Sequence, residues 1–346
     1  MHFAVIDCGT TNSRMYILNE QFKIISKGYK KIGVRDTAIN GSNEILKIGL
    51  KELFESTLNS AGLKISEVKF AITFGMITSE IGLIEIPHLW APVTIDDLAK
   101  NIKVVQDLEV FPLNIPLYFI RGIKNYFPEN TTYKDIRKID FMRGEETQIA
   151  GLLTLYPDIS LPLTVVILSS HTKYIHVNQK KQICGSLTTI SGQIFEAIKK
   201  QTNVGKSIIG PESERNNDYF DIDIIRVAYD SLQNAGFLRS LLMPRFMEVL
   251  LKTKWYEREL FINSVICADD LKALNDFKLL DFSLKNNSFI LIGHKIRCNI
   301  LSYMLKECYK IKSEIKIISN KEEIDQLSIK GAITIAKKNW IYKGGK

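Results

Sequence analysis

The chain has no cysteine framework. Its five cysteines, Cys8, Cys184, Cys267, Cys298 and Cys308, are scattered without CxxC spacing. An odd, unpatterned set argues against a disulfide scaffold or a zinc ribbon and for a reducing compartment. No apolar run approaches the length of a membrane span. No charged segment followed by an apolar one opens the sequence, which starts almost at once with a strand pattern, Phe3 to Ile6. These absences imply a cytoplasmic protein with no membrane partner. Also missing are low-complexity tracts, an HExxH metal motif and a GxSxG nucleophile elbow, which speaks against a zinc protease and a Ser/His hydrolase. The charge imbalance is modest, 46 Lys and Arg against 38 Asp and Glu, a net +8. The lysines are spread out and no aromatic–basic stripe accompanies them, so no nucleic-acid partner is implied. A nucleic-acid-associated ATPase would rest on that +8 alone.

What is present is an ordinary globular composition over 346 residues, 45% apolar and 24% charged. That length is too great for one simple core, and two domains are expected. The sequence also repeats itself. An apolar run ends in Asp7 and passes through Asp7-Cys8-Gly9-Thr10-Thr11-Asn12 into Met15 to Leu18, then Phe22 to Ile25. Halfway along, Thr164 to Leu168 passes through Ser169-Ser170-His171-Thr172-Lys173 into Tyr174 to Val177, then Gln182 to Thr189. Each copy reads strand, polar turn, strand, turn, strand, amphipathic helix. Two related α/β domains are therefore expected, each with a small-residue turn at a strand end. Such turns present N–H and O–H groups to a polyphosphate.

Between and after the copies the pattern continues. A helix is expected from Asn43 to Asn59, with Ile45, Leu46, Leu50, Leu53, Phe54 and Leu58 on its apolar face. Lys69 to Phe74 and Leu117 to Ile120 read as strands. Met142-Arg143-Gly144-Glu145-Glu146-Thr147-Gln148 precedes an apolar helix, and the domain boundary is drawn there, 1–145 and 146–346. A helix opens at Gly192, residues 205–221 read as a loop, and helices fill Ile222 to Leu274. The end alternates strand Phe289 to Ile292, helix Ile296 to Tyr309, strand Ile315 to Ile318, helix Glu322 to Lys337, an α/β signature.

The chemistry concentrates in the turns. Gly9 lets backbone approach a phosphate, Thr10 and Thr11 add donors, and Asp7 at a strand end suits Mg²⁺ held through water. The alternative is a hairpin turn that uses Asp and Gly for geometry. Ser170, His171, Thr172 and Lys173 suit phosphates from the other side, with Lys173 as a point charge. His171 and His176 fall on opposite faces of a strand pattern and make poor co-ligands. Glu145 and Glu146 fit either a catalytic carboxylate or acids placed for the helix dipole. Arg143 offers a planar fork for a substrate carboxylate. Gly293, between a strand and a helix, suits packing against an adenine.

Together these strings resemble the 2-dehydro-3-deoxygalactonokinase family, within the sugar kinase, heat-shock protein 70 and actin superfamily. The matching segments are Ile6 to Arg14, Gly75-Met76-Ile77-Thr78-Ser79, Met142 to Gln148, Ser170 to Tyr174, Ser191-Gly192-Gln193-Ile194-Phe195 and Leu291-Ile292-Gly293. They stand in family order across nearly the whole chain. The resemblance implies two actin-like (ribonuclease H-like) α/β domains with a nucleotide cleft between them. It implies ATP and Mg²⁺ as cofactors and a sugar acid, 2-dehydro-3-deoxy-D-galactonate, phosphorylated on its terminal hydroxyl. It makes Glu145 the base, Asp7 the magnesium-organising residue, and Asn12, Arg14, Met76 and Arg143 substrate contacts. The chain departs from the family pattern at Ser169, where Gly is usual, at Gln193, where Glu is usual, and at Cys267, where Gly is typical. A kinase for a related deoxy-keto sugar acid, or a non-catalytic sensor on the same fold, are the alternatives, and a homodimer is left open.

Overall fold

In a computed structural model, residues 1–214 and 219–342 are described. All fourteen strands among them fall into three sheets. The first contains β1 (His2–Cys8), β2 (Ser13–Leu18), β3 (Ile24–Lys30), β4 (Val68–Gly75), β6 (Lys103–Val105) and β7 (Leu117–Phe119), in the order β3-β2-β1-β4-β7-β6. A small sheet joins β5 (Leu89–Trp90), β8 (Ile123–Lys124) and β9 (Phe141–Met142) in the order β5-β8-β9. The third contains β10 (Leu163–Leu168), β11 (Thr172–Val177), β12 (Ile183–Thr189), β13 (Ser288–Gly293) and β14 (Ile315–Ile318), in the order β12-β11-β10-β13-β14.

The first five strands of the first sheet and the five of the third share one topology. A hairpin pair lies on one side of the leading strand and two later strands lie on the other. β1 runs antiparallel to β2 and parallel to β4, and β10 runs parallel to β13, which runs parallel to β14. The repeat expected from the sequence is thus a repeated sheet, and the protein has the two-domain actin-like α/β fold. The leading strands explain why the repeat was visible. Every residue of β10 is buried, and β1 is nearly so. A strand covered on both faces reads as an unbroken apolar run.

Contacts divide the chain into two compact units. The first comprises Met1–Ser160, Val177–Gly185 and Glu322–Lys346; the second comprises Leu161–His176 and Ser186–Lys321. The expected break at 145/146 does not coincide with this division. The helix Glu145–Leu155 stays in the first unit because it packs on the C-terminal helix Lys321–Tyr342 at two glycines. A Cβ on Gly151 would run into the Leu327 carbonyl, and one on Gly331 into the Thr147 carbonyl. The tip of the β11–β12 hairpin joins the first unit by a bridge in which Val93 and Ile183 exchange N–H···O bonds of 2.9 and 2.8 Å.

The first unit's core collects Ala4, Ile6, Met15, Ile17, Leu46, Leu50, Leu53, Phe54, Phe111 and Phe119. The helix Glu44–Ser60 buries Leu46, Leu50, Leu53, Phe54 and Leu58 on one face, as its periodicity indicates. Ile45 is 47% exposed and leaves that face, because it sits about 100° from Leu46 around the helix. The third strand of the first hairpin is Ile24–Lys30 rather than Phe22 to Ile25. Phe22 sits at φ 60° in the turn, with its ring stacked on Phe3 at 4.7 Å. The expected loop 205–221 contains a short helix, Val204–Ser207, and a 3₁₀ turn, Glu212–Glu214; residues 215–218 lie outside the described residues.

The second unit's core is built on Val166, Leu168, Tyr174, Phe261, Val265, Leu271, Phe277, Leu291 and Leu301. His176 is buried at its edge, with its ring stacked on Phe282 at 4.7 Å. Burial pulls its pKa down from 6.5 to about 4. Between those values the unfolded chain takes up a proton that the folded imidazole refuses. Stability is therefore complete above pH 6.5 and is lost as pH falls toward 4, by up to about 3 kcal/mol. His176→Phe should remove this contribution. Its melting temperature should fall less than the wild type's between pH 6.5 and 4, and parallel curves would show that His176 is not the acid-sensitive group.

Candidate functional site

The first unit assembles its polar residues at the carboxyl end of β1, the position at which α/β sheets commonly receive ligands. The turn after β1 closes with Gly9 N–H donating to the Asn12 carbonyl at 2.9 Å. Its carbonyls are drawn away from the open side. Val34 N–H donates to the Gly9 carbonyl at 3.2 Å and Arg35 N–H to the Thr10 carbonyl at 2.9 Å. These donors belong to the first turn of the helix Val34–Asn40, which would otherwise lack partners. Gly33 permits the approach, since a Cβ there would lie 2.5 Å from the Thr10 carbonyl oxygen. With the Gly9, Thr10 and Asn12 carbonyls engaged, the exposed Thr10 and Thr11 hydroxyls and the exposed Asn12 make this a turn rich in donors. The Tyr29 hydroxyl donates to Asn12 Oδ1 at 2.7 Å and orients that side chain.

Asp7 is largely buried just before the turn. Arg14 Nη1 approaches it at 3.2 Å and also lies 3.6 Å from Asp325 on the C-terminal helix. Burial pushes the Asp7 carboxyl above its ordinary range, Arg14 opposes this, and Asp325 adds to it. Sequence reasoning missed Asp325. It lies 311 residues from Arg14 in a helix with no motif of its own, so nothing local marks it.

The strand beside β1 carries the second element of the site. In the β1–β4 register Cys8 faces Gly75, which has φ +84°. A Cβ on Gly75 would sit 2.7 Å from the Cys8 carbonyl oxygen and 3.6 Å from Asp7 Oδ1. Only glycine combines that backbone conformation with that approach. Gly144 has φ +110°, and a Cβ there would lie 3.4 Å from the Gly75 Cα. The start of the helix Glu145–Leu155 therefore reaches the end of β1 through two glycines, bringing Glu145 to the same end as Asp7 and the first turn.

The two adjacent acids differ sharply. Glu145 is half-buried at the helix start. Glu146 is fully buried and folds back on its own helix, both carboxyl oxygens accepting from Gly144 N–H at 2.8 Å. Burial, then the nearby Glu145, push its pKa to about 8 against the pull of its backbone hydrogen bonds and of Arg143. Arg143 is half-buried. Its Nη1 donates to Thr78 Oγ1 at 2.8 Å and to the Ile86 carbonyl at 3.0 Å, and Nη2 lies 3.5 Å from His88 Nδ1. The guanidinium is thus held in place by the Gly75–Ser79 segment and its neighbours. Met76 is half-buried on the same 3₁₀ turn, Met76–Thr78.

The second unit repeats the construction with a shorter turn. Ser169 N–H donates to the His171 carbonyl at 3.1 Å, and Gln193 N–H donates to the Ser170 carbonyl at 2.9 Å. Gly192, at the start of the helix Ser191–Gln201, takes the part of Gly33, because a Cβ there would collide with the Ser169 carbonyl. Gly293 takes the part of Gly75. It faces Leu168 in the β10–β13 register, has φ +146°, and a Cβ would collide with the Leu168 carbonyl. Ser169 and Ser170 are exposed and His171 is half-exposed. Thr172 and Lys173 are buried instead. The Thr172 hydroxyl lies 2.6 Å from Ser191 Oγ, and Lys173 Nζ donates to Thr188 Oγ1 at 2.9 Å. Both residues lie within β11, where every residue is buried; Thr172 is bonded toward the helix Ser191–Gln201 and Lys173 toward β12. Cys267 is fully buried in the second core.

Among the described residues no group of three or more His, Cys, Asp or Glu side chains could hold a metal ion, and no helix is long and apolar enough to cross a membrane. The family model described as 2-keto-3-deoxy-galactonokinase matches residues 7–308. The chain belongs to that family. A probable 2-dehydro-3-deoxygalactonokinase of Rhizobium meliloti (strain 1021) is 23% identical over 207 residues, 60% of this chain and 59% of that protein. The match thus spans less than two thirds of that relative. A crystal structure from Sinorhizobium meliloti, of a protein assigned as a 2-dehydro-3-deoxygalactonokinase, superposes over 98% of this chain and 99% of its own with a TM-score of 0.71 at 17% identity. Component A of the (R)-2-hydroxyglutaryl-CoA dehydratase of Acidaminococcus fermentans shares the fold at a TM-score of 0.50 and 12% identity, over 98% of this chain and 99% of its own.

The buried carboxyl of Glu146 gives this family member a testable signature. In the unfolded chain it ionises near 4.5, and in the folded protein it keeps its proton to about pH 8. The group's contribution to stability is therefore complete below 4.5 and lost as pH rises to 8. Glu146→Gln should gain stability relative to the wild type across that range. Thermal unfolding of both proteins without ligands, at pH 5 and pH 8, checks this; a constant difference would mean that Glu146 ionises normally.

Proposed function

We propose that this chain transfers the γ-phosphoryl group of ATP to the terminal hydroxyl of 2-dehydro-3-deoxy-D-galactonate. The observation that carries the reading is the glycine junction at Gly75, which brings Asp7, a donor-rich turn and the Glu145 helix start to one strand end. Phosphoryl transfer needs those parts: phosphate donors, a metal-organising carboxylate and a base for the attacking hydroxyl. Family membership and the name of the Rhizobium meliloti relative support the substrate class.

The residues fit Mg²⁺. This ion keeps several waters and takes one or two protein carboxylates beside substrate phosphates, so a multi-ligand cage is not required. Asp7 would hold it, with Arg14 steadying the carboxylate from the side. When bound, Mg²⁺ neutralises charge on the phosphates. Gly9, Thr10 and Thr11 bind phosphate through the first turn. Ser170 and His171 do so through the second, with Thr172 and Lys173 buried beside it. Gly293 borders the nucleotide. Asn12, Arg14, Met76 and Arg143 contact the sugar acid, and Arg143 pairs with its carboxylate.

Glu145 accepts the hydroxyl proton, and Glu146 does not share the role. Neighbours on a helix point about 100° apart, and Glu146 is committed to Gly144. Glu145→Gln should leave ATP binding by calorimetry nearly intact while lowering kcat by about 10²–10⁴-fold. Glu146→Gln should cost less. Normal turnover by Glu145→Gln beside a dead Glu146→Gln would reverse the roles, and two active variants would remove the carboxylate base from the mechanism. No calorimetric heat and no Mg²⁺-dependent thermal stabilisation of the wild type at millimolar ATP would remove the kinase reading itself.

Arg143→Ala should raise KM for the sugar acid roughly 10–100-fold, the worth of a charged hydrogen bond, with a smaller effect on uncharged sugars. Steady-state kinetics over a panel of deoxy-keto sugar acids and hexoses decides the matter. A neutral hexose preferred by the wild type would overturn the assignment.

A further inference from the structure

A buried ion pair under the second turn is unused by the proposed chemistry. Arg297 lies on the helix Lys295–Glu307, and Asp270 ends the helix Trp255–Asp270. Their charged atoms are 3.4 Å apart, with side chains only 10% and 1% exposed. Arg297 Nη2 also donates to Ser191 Oγ at 2.8 Å and reaches Thr172 Oγ1 at 3.4 Å. The other Asp270 oxygen accepts from the Thr189 hydroxyl. Burying two opposite charges is costly and seldom adds net stability over apolar packing, so such a pair calls for a reason beyond cohesion.

The connections supply that reason. Thr172 is the first residue after the turn. Ser191 directly precedes Gly192 and Gln193, which contact the turn's carbonyls. Thr189 ends β12, and the helix of Arg297 follows Gly293, which abuts the Leu168 carbonyl at the turn's entry. One guanidinium and one carboxylate therefore tie together the segments that shape the turn. All three contacts come from one nitrogen, Nη2, so the Thr172, Ser191 and Asp270 oxygens converge on a single charged donor.

We propose that Arg297 and Asp270 are positioning residues that set the conformation of the Ser169–His171 turn and thereby its affinity for the phosphates of ATP. The affinity part rests on the reading of that turn as a phosphate site. Breaking the pair with one substitution strands a buried charge and endangers folding, so the decisive variant is the double Arg297→Met/Asp270→Asn, which removes both charges. Two measurements are needed on the folded protein: steady-state kinetics, and amide hydrogen exchange of the nucleotide-free chain over residues 169–172 and 191–193. The expected result is a KM for ATP raised about 10-fold, a KM for the sugar acid within 2-fold of the wild type, and faster exchange confined to those two segments. A double variant that folds with wild-type KM for ATP and wild-type exchange overturns the proposal, because the pair is then cohesive only. If the wild type binds no ATP, the phosphate reading fails. Faster exchange in the variant would still establish positioning of the turn, and unchanged exchange would reject it.

Discussion

Two carbonyl oxygens at strand ends set the terms for this structure. Cys8 closes β1 and Leu168 closes β10, and beside each a parallel strand ends in a glycine at positive φ, Gly75 or Gly293. In both places a side chain would strike the neighbouring carbonyl. The missing Cβ lets the parallel strand turn away at once, which opens space next to the polar turn. In the first unit Gly144 uses that space to bring the helix of Glu145 against the strand end. A residue with a side chain at position 75 would displace the turn or the helix, and the carboxylates at that end would lose their common location.

The turns follow a second common rule. Each faces its carbonyls toward a helix N-terminus, which supplies N–H groups that have no partner within the helix. Val34 and Arg35 serve the first turn and Gln193 serves the second. Gly33 and Gly192 permit the close seating. This leaves N–H and hydroxyl donors on the outer side. Oriented backbone N–H groups attract anions without needing a net charge on the chain, so the +8 says little about the ligand.

Within the site, burial separates residues that look equivalent in the sequence. Glu145 and Glu146 are adjacent acids, yet Glu146 is enclosed and held neutral to about pH 8, with its carboxyl turned onto Gly144. Thr172 and Lys173 stand in a motif with Ser170 and His171, yet they lie inside the sheet. Arg143 is drawn toward Thr78 and Ile86. In each case tertiary packing, rather than residue type, decides which polar atoms face outward.

The sequence alone determined the repeat, the two α/β halves, most strands and helices, and the strings on which the site is built. It could do so because the leading strands are buried on both faces and the turns need small residues, which leaves a local trace in composition. The tertiary structure decided three things. It kept the helix Glu145–Leu155 in the first unit through the Gly151 and Gly331 contacts. It added Asp325 to Arg14 and Asp7 from the far end of the chain. It sank the Arg297–Asp270 pair beneath the second turn. Each of these depends on residues between about 180 and 310 positions apart, or on a pair of helices brought together only by packing, and such approaches leave no periodicity or spacing for a sequence reading to detect.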